Sequence, residues 1–171
     1  MKFIYNEEID KKCRKNIDNC KLIFGEEKRT GIFPVNKKIL EKFKSIWTPK
    51  IEKNFSKKIF QIFETNLPKD FICFLNSTPY SMDIEQGISI SASTKNPIKT
   101  ICHEANHYMF RKSKYKSKYF PKINIEEAKE IFTIINNIYF QDIMESQDIG
   151  WKKFWKDRYN FLNIWLKDKN I

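Results

Sequence analysis

The chain has 171 residues, of which 41% are apolar, 15% aromatic and 31% charged, and its formal net charge is +11. This length suits one domain, residues 1–171, with one hydrophobic core, and this composition excludes a disordered chain. No run of about 18 apolar residues is present, and the first residues lack an apolar signal segment. We therefore expect no membrane span and a cytoplasmic location.

The positive charge is almost entirely lysine. Arginine occurs only at Arg14, Arg29, Arg111 and Arg158. Proteins that bind nucleic acid rely on the bidentate guanidinium group, so nucleic acid is an alternative partner rather than the favoured one. The cysteines show no CxxC spacing, which predicts free thiols. They are Cys13, Cys20, Cys73 and Cys102.

The first part of the chain, about residues 1–67, has a helical pattern. In "NKKILEKFKSIW" the apolar residues recur at helical spacing, and "KKIFQIFETN" repeats this pattern. Pro49 lies between the two segments and should interrupt or kink the helix there. We therefore predict a helical N-terminal part.

After Pro68 the pattern changes to that of strands, which begins a predicted core of about residues 68–145. "DFICFLNS" is a short apolar run of strand length, "TPYSMD" resembles turn material, and "GISISAS" alternates apolar residues with serines. This alternation predicts that the "GISIS" strand has one buried face and one exposed polar face, at the edge or surface of a small sheet.

Two helices are predicted after these strands. In "TKNPIKTICHEANHYMFRK", Asn96 suits the N-cap and Pro97 suits the first helical position. The second long helix is "INIEEAKEIFTIINNIYFQDI". The predicted fold class is therefore α+β, with a small mixed or antiparallel sheet packed on these two helices and with helical N-terminal and C-terminal parts.

The C-terminal segment, about residues 149–168, predicts a further helix that is rich in aromatic residues. Its apolar residues at near-helical spacing are Trp151, Trp155, Leu162, Trp165 and Leu166. We expect this stripe to pack onto the core. Docking to a membrane interface is the alternative, which the flanking lysines suggest.

The segment "HEANH" holds both histidines of the chain. His103 and His107 are four positions apart, so on a helix both imidazoles lie on the same side and can bind one metal ion. Glu104 points to the neighbouring flank, where its carboxylate can take a proton from metal-bound water. This HExxH pattern predicts a zinc site. Two solvated histidines on an ordinary helix are the alternative.

A zinc site of this kind needs a third protein ligand, which must be a carboxylate or a thiolate because no third histidine exists. The segments "TICHEANHYM" and "IEEAKEIF", with "GISIS" ahead of them, resemble the gluzincin zinc peptidases, which include thermolysin and the small intracellular ImmA/IrrE-like peptidases. The resemblance covers about half the chain. It implies that His103, His107 and Glu127 bind Zn²⁺ and that Glu104 is the general base.

The helix pattern bears on this third ligand. Glu127 lies on the apolar stripe with Ile131, whereas Glu126 and Glu130 lie on the polar side. Alternatively, Asn124 caps this helix with Glu127 at the third helical position, as in a capping box. Glu127 is thus the predicted ligand, and Glu126 and Glu130 are the alternatives.

The resemblance also implies a group that stabilises the oxyanion, often Tyr or His, and a strand that binds extended substrate at the sheet edge. The "GISIS" strand is the candidate for the substrate-binding strand. The sequence does not choose among the available tyrosines. These are Tyr108, Tyr115, Tyr119 and Tyr139.

Together these features predict a zinc-dependent metallopeptidase that acts on a peptide or protein substrate. The competing hypothesis is a basic module that binds nucleic acid or membrane and keeps the histidine pair as a structural, non-catalytic metal site. A peptidase that cuts a single partner protein is the third hypothesis.

Overall fold

The computed structural model describes residues 1–24 and 31–170, with the backbone alone described for residues 18–24. Cys20 and Arg29 lie outside the described side chains. The α-helices are α1 (Glu7–Phe24), α2 (Lys37–Ile46), α3 (Pro49–Phe63), α4 (Pro97–Lys112), α5 (Tyr115–Tyr119), α6 (Ile125–Phe132), α7 (Asn136–Tyr139) and α8 (Trp155–Lys169). The strands are β1 (Lys2–Tyr5), β2 (Ile72–Asn76), β3 (Met82–Ile84) and β4 (Gly87–Ser91). The fold is α+β, as predicted.

The strands form one mixed sheet in the order β1-β2-β4-β3. β1 and β4 are parallel to β2, and β3 is antiparallel to β4. The prediction of an entirely helical N-terminal part is therefore wrong for β1, and the predicted turn "TPYSMD" contains the start of β3. Both strands are too short to display a period of two, and pairing with distant residues determines their conformation.

The central strand β4 corrects the prediction of a half-exposed "GISIS" edge. All five of its residues are buried, and it lies between β2 and β3. Its serines are paired inside the protein, because Ser89 Oγ accepts a hydrogen bond from Asn76 at 2.9 Å and Ser91 Oγ donates one to the Thr78 carbonyl at 2.5 Å. The alternation therefore marks buried hydrogen bonds, and the exposed edge belongs to β3.

Gly87 allows β4 to approach β2 closely. Its φ is +148°, and a Cβ atom there would lie 2.1 Å from the Ile72 carbonyl oxygen. A side chain would push the two strands apart, so only glycine fits this point of the sheet.

Helix α4 packs on β3 and β4 and against α6, which in turn packs against α8. Buried side chains from Phe3 to Trp165 form one cluster. α8 differs from the predicted stripe, because its buried residues are Arg158, Phe161 and Trp165, whereas Trp155 is 44% exposed. Among the described helices, none has the length and apolar character that crossing a membrane requires.

Candidate metal centre

Helix α4 carries both histidines and begins at Pro97, after Asn96 at the N-cap position, as predicted. The Asn96 side chain makes no capping hydrogen bond, which corrects the expected role of this residue. Instead, the Glu145 carboxylate accepts hydrogen bonds from the backbone amides of Ile98 at 2.9 Å and Lys99 at 2.8 Å. A cap supplied from so far along the chain leaves no local signal in the sequence.

The histidines converge as their spacing predicts. The His103 and His107 ring centroids are 4.3 Å apart. One donor atom each from His103, Glu104 and His107 lies within 4.8 Å of the others. Glu104 and His107 are buried, and the His103 side chain is 19% exposed. These three residues thus form a group that could hold a metal ion and that is reached from solvent on the His103 side.

Glu130 is the acid that lies between the two histidines. Its Oε2 is 3.6 Å from His103 Nε2, and its Oε1 is 3.6 Å from His107 Nε2. Glu127, the predicted ligand, lies at the start of α6, where its backbone amide donates to Asn124 Oδ1 at 2.9 Å. Within the described residues it forms no ion pair with either histidine. Glu126 is instead paired with Arg111 and Lys129.

The polar side of α6 explains why Glu130 was the last alternative on sequence grounds. Glu130 is 4% exposed, and the Thr133 and Asn136 side chains beyond it are fully buried. This side is covered by α4 and α8, and the Thr133 hydroxyl and the Asn136 side-chain amide are hydrogen-bonded inside the protein. Apolar periodicity identifies only the hydrophobic face of a helix, so a second, polar buried face appears as a solvent-exposed one.

Asp148 fixes the orientation of His103. Its Oδ2 is 2.7 Å from His103 Nδ1. Burial favours the protonated acid, but His103, Arg158 and Asn136 outweigh it and lower the pKa of Asp148 to about 2. The ionised carboxylate therefore accepts the Nδ1 proton, which leaves Nε2 of His103 facing Glu130, the arrangement found around metal-binding histidines. Asp148 lies between helices, and the sequence analysis missed it.

Arg158 on α8 connects the two acids. Its Nη1 donates to the Glu130 carbonyl and to Thr133 Oγ1, both at 2.6 Å, and its Nη2 donates to the Asp148 carbonyl at 2.7 Å. It is 1% exposed. Gly150, with φ +58°, leaves room for this guanidinium group, since a Cβ there would lie 2.4 Å from Nη1. In the sequence, nothing distinguishes Arg158 from the other positively charged residues.

Three buried atoms of this group that could bind a metal ion have no hydrogen-bond partner, although buried polar atoms are nearly always hydrogen-bonded. They are Glu104 Oε2, His107 Nε2 and Glu130 Oε2. Burial raises the pKa of Glu104 to about 8. Burial and the charge of His103 lower the pKa of His107 well below its ordinary value. Burial acts in the same direction on His103, but Asp148 and Glu130 overcome it and raise that pKa.

This donor set fits a divalent cation. Two imidazoles and a carboxylate are the ligands of many catalytic zinc sites, and the neutral form of His107 keeps its Nε2 lone pair available. A bound cation would also favour the ionised form of the neighbouring Glu104 carboxyl group. The structure therefore supports a metal site here, without identifying the metal.

A groove with two lobes passes over the centre. The lobes share the lining residues Tyr80, Ser81, His103, Glu104 and Trp151. The Lys95 lobe, about 700 Å³, is further lined by residues that include Ser91, Ser93, Thr94, Lys95, Lys99 and Thr100. The Asp83 lobe, about 320 Å³, is further lined by residues that include Asp83, Arg111, Glu126 and Lys129. An extended ligand in both lobes would cross the histidines.

None of the tyrosines suggested from the sequence lines this groove. Tyr115 donates its hydroxyl to the Ile62 carbonyl, Tyr119 donates to Asp168, and Tyr108 and Tyr139 pack against other aromatic rings. Tyr80, which the sequence analysis did not consider, borders both lobes. It precedes β3, in a turn whose backbone is held by Asn76 and Thr78.

Comparison of the chain with protein-family models, with curated proteins and with solved structures finds no match. Any inference about function therefore depends on the residues of the centre and of the groove.

Proposed function

We propose that the chain is a zinc-dependent metallopeptidase in which His103, His107 and Glu130 hold the metal and Glu104 is the general base. The observation that carries this proposal is the convergence of unpartnered buried donor atoms, among them His107 Nε2 and Glu130 Oε2, beside His103. Unpaired buried atoms cost stability, and a cation bound by His103, His107 and Glu130 would pair with His107 Nε2 and Glu130 Oε2 at once.

Each residue has a defined part in hydrolysis. Zinc, when bound, supplies a Lewis acid that polarises a carbonyl group and lowers the pKa of water. Glu104 takes a proton from the attacking water and returns it to the leaving nitrogen. Burial raises the pKa of Glu104 in the metal-free protein, and a bound cation beside it would favour the ionised form that a general base needs. Asp148 holds the proton on His103 Nδ1.

The edge strand β3 is the proposed site for the substrate backbone. It pairs with β4 on one side, and no other described strand pairs with its second side. Asp83 of β3 and the preceding Ser81 line the groove beside Glu104. A peptide that adds to this edge would lie across the centre, a common mode of peptide recognition.

Metal analysis of matched glutamate variants tests the proposal. We expect wild type to carry about one zinc per chain, Glu130→Gln to lose it, and Glu127→Gln to keep it, because the described contact of Glu127 is that of its backbone amide with the N-cap residue Asn124. Glu104→Gln should retain zinc but not cleave peptides. Zinc-free wild type after titration would refute the proposal. Full biological activity of zinc-loaded Glu104→Gln would favour the basic binding module with a structural metal site.

A cytoplasmic location is also part of the proposal. Cys73 and Cys102 are free and buried, which suits a compartment that keeps thiols reduced. Titration of thiols in the denatured protein, without reductant, should find these cysteines reduced when the protein is isolated from its own cells. A disulfide among them would contradict this location.

A further inference from the structure

The two lobes of the groove differ in how their positive charges are compensated. In the Asp83 lobe, Arg111 is paired with Asp83 and Glu126, and Lys129 lies 2.5 Å from Asp83 and 3.0 Å from Glu126. Both cations of this lobe thus have carboxylate partners already. The lobe offers no free positive charge to a ligand.

The Lys95 lobe contains two lysines without such partners. Within the described part of the chain, neither the Lys95 nor the Lys99 ammonium group forms an ion pair. The acids of this lobe are Glu104 and Asp148, which belong to the metal centre, and Asp148 is already paired with His103. Lys95 is exposed and Lys99 is half-buried. The nearby Glu145 carboxylate accepts hydrogen bonds from the backbone amides of Ile98 and Lys99 at the start of α4 and forms no ion pair with either ammonium group among the described residues. Lys95 and Lys99 thus present positive charge to the lobe without an ion-pair partner.

Four hydroxyl groups near these lysines already donate hydrogen bonds inside the protein, those of Ser91, Ser93, Thr94 and Thr100. Thr100 Oγ1 donates to the Asn96 carbonyl, so Thr94 Oγ1 is the donor in their 2.9 Å contact. Ser91 Oγ donates to the Thr78 carbonyl, so Ser93 is the donor in the 2.8 Å contact between these serines. Lys95 and Lys99 are consequently the main donors left for an anion at this end of the lobe.

We propose that Lys95 and Lys99 form a subsite for an acidic side chain of the substrate, so that peptides with Asp or Glu on one side of the cleaved bond are preferred. This inference rests on the proposed peptidase function and names its substrate class. A carboxylate here would gain two ammonium partners, and the net charge of +11 would attract acidic segments from a distance. The compensated Asp83 lobe shows no such preference.

Peptide binding to the zinc-loaded Glu104→Gln protein tests the subsite apart from catalysis. The probes are a labelled ten-residue peptide of alternating Ala and Glu and its Ala-Gln counterpart, followed by fluorescence anisotropy. We expect the acidic peptide to bind roughly threefold to tenfold more tightly, and the double change Lys95→Gln with Lys99→Gln to abolish this difference. The control changes Lys53→Gln and Lys57→Gln, also four positions apart but on α3 away from the groove, should preserve it.

The subsite is overturned if both peptides bind with equal affinity. It is also overturned if the control changes Lys53→Gln and Lys57→Gln abolish the preference for the acidic peptide as fully as the changes at Lys95 and Lys99 do. A ten-residue oligodeoxythymidine is the competing probe. If it binds through the same two lysines and more tightly than the acidic peptide, the assignment of the subsite to peptides is overturned. Cleavage of a peptide library by zinc-loaded wild type separates the two proposals. Cleavage without an acidic preference refutes only the subsite. Absence of cleavage together with lysine-dependent binding of the acidic peptide refutes only the peptidase function.

Discussion

Replacement of Arg158 by methionine should destabilise the protein strongly, because the guanidinium group is buried and serves several acceptors. Arg158→Met removes the guanidinium donor from Thr133 Oγ1 and from the Glu130 and Asp148 carbonyl oxygens, which keep one donor each from Thr133 Oγ1 and Asn137 Nδ2. Hydrogen bonds to a charged group contribute about 1.5–3 kcal/mol each, but their sum overestimates the loss because neighbours relax and water enters. Arg158 Nη2 also lies 3.3 Å from Asp148 Oδ1, and both side chains are buried. Breaking such a buried ion pair typically costs about 3–5 kcal/mol, which we expect here.

Urea unfolding, followed by tryptophan fluorescence in the presence of a chelator, measures this loss without a contribution from bound metal. The matched control is Arg14→Met. Arg14 is 45% exposed, and its partner Asp10 retains two hydrogen bonds from Ser77, so we expect a loss of about 1 kcal/mol or less. A loss below about 1 kcal/mol for Arg158→Met would refute the connecting role assigned to this arginine.

Three further outcomes follow from the geometry. Asp148→Asn should weaken zinc binding by about 10–100-fold, because the hydrogen bond to His103 loses its charge. Competition with a chromophoric chelator measures the affinity for zinc, and an unchanged affinity would exclude the role of Asp148 in orienting His103. The folded pKa of Asp148 is depressed to about 2, so its stabilising contribution is present above its ordinary pKa and disappears as pH falls from about 4 to 2. Acid titration of stability should therefore show a loss of about 2 kcal/mol in this window that Asp148→Asn lacks. Gly87→Ala should cost more than about 1 kcal/mol in thermal unfolding, since its φ of +148° and the Ile72 carbonyl both oppose a side chain; a neutral result would contradict the tight β2–β4 approach.

The sequence was sufficient for features that depend on local spacing. The apolar and polar spacing of α4, with Pro97 at its start, predicted the helix and the shared direction of His103 and His107. The α+β class followed from the change of pattern after Pro68, and the structure confirms it.

The features that the sequence did not reveal depend on contacts between distant segments. Glu130 was assigned to a solvent-exposed side because polar residues on α6 follow the same period whether they face water or buried partners. Asp148 and Glu145 lie outside regular helices, where no period exists to place them. The serines of β4 gave an alternating pattern although both faces are buried. Each of these is a polar residue whose partner lies far along the chain, and all of them except Glu145 are buried.

The ten residues after α7 have a consequence for the order in which the protein folds. This segment supplies Glu145 to the start of α4, 47 positions from Ile98, and supplies Asp148 to His103 and Arg158. α4 alone can bring its two histidines together early. Glu130 and Asp148 receive their hydrogen bonds from Arg158 only after α8 has docked. Retention of metal against a chelator should thus appear late in refolding, as a signal that the C-terminal helix has reached its native position.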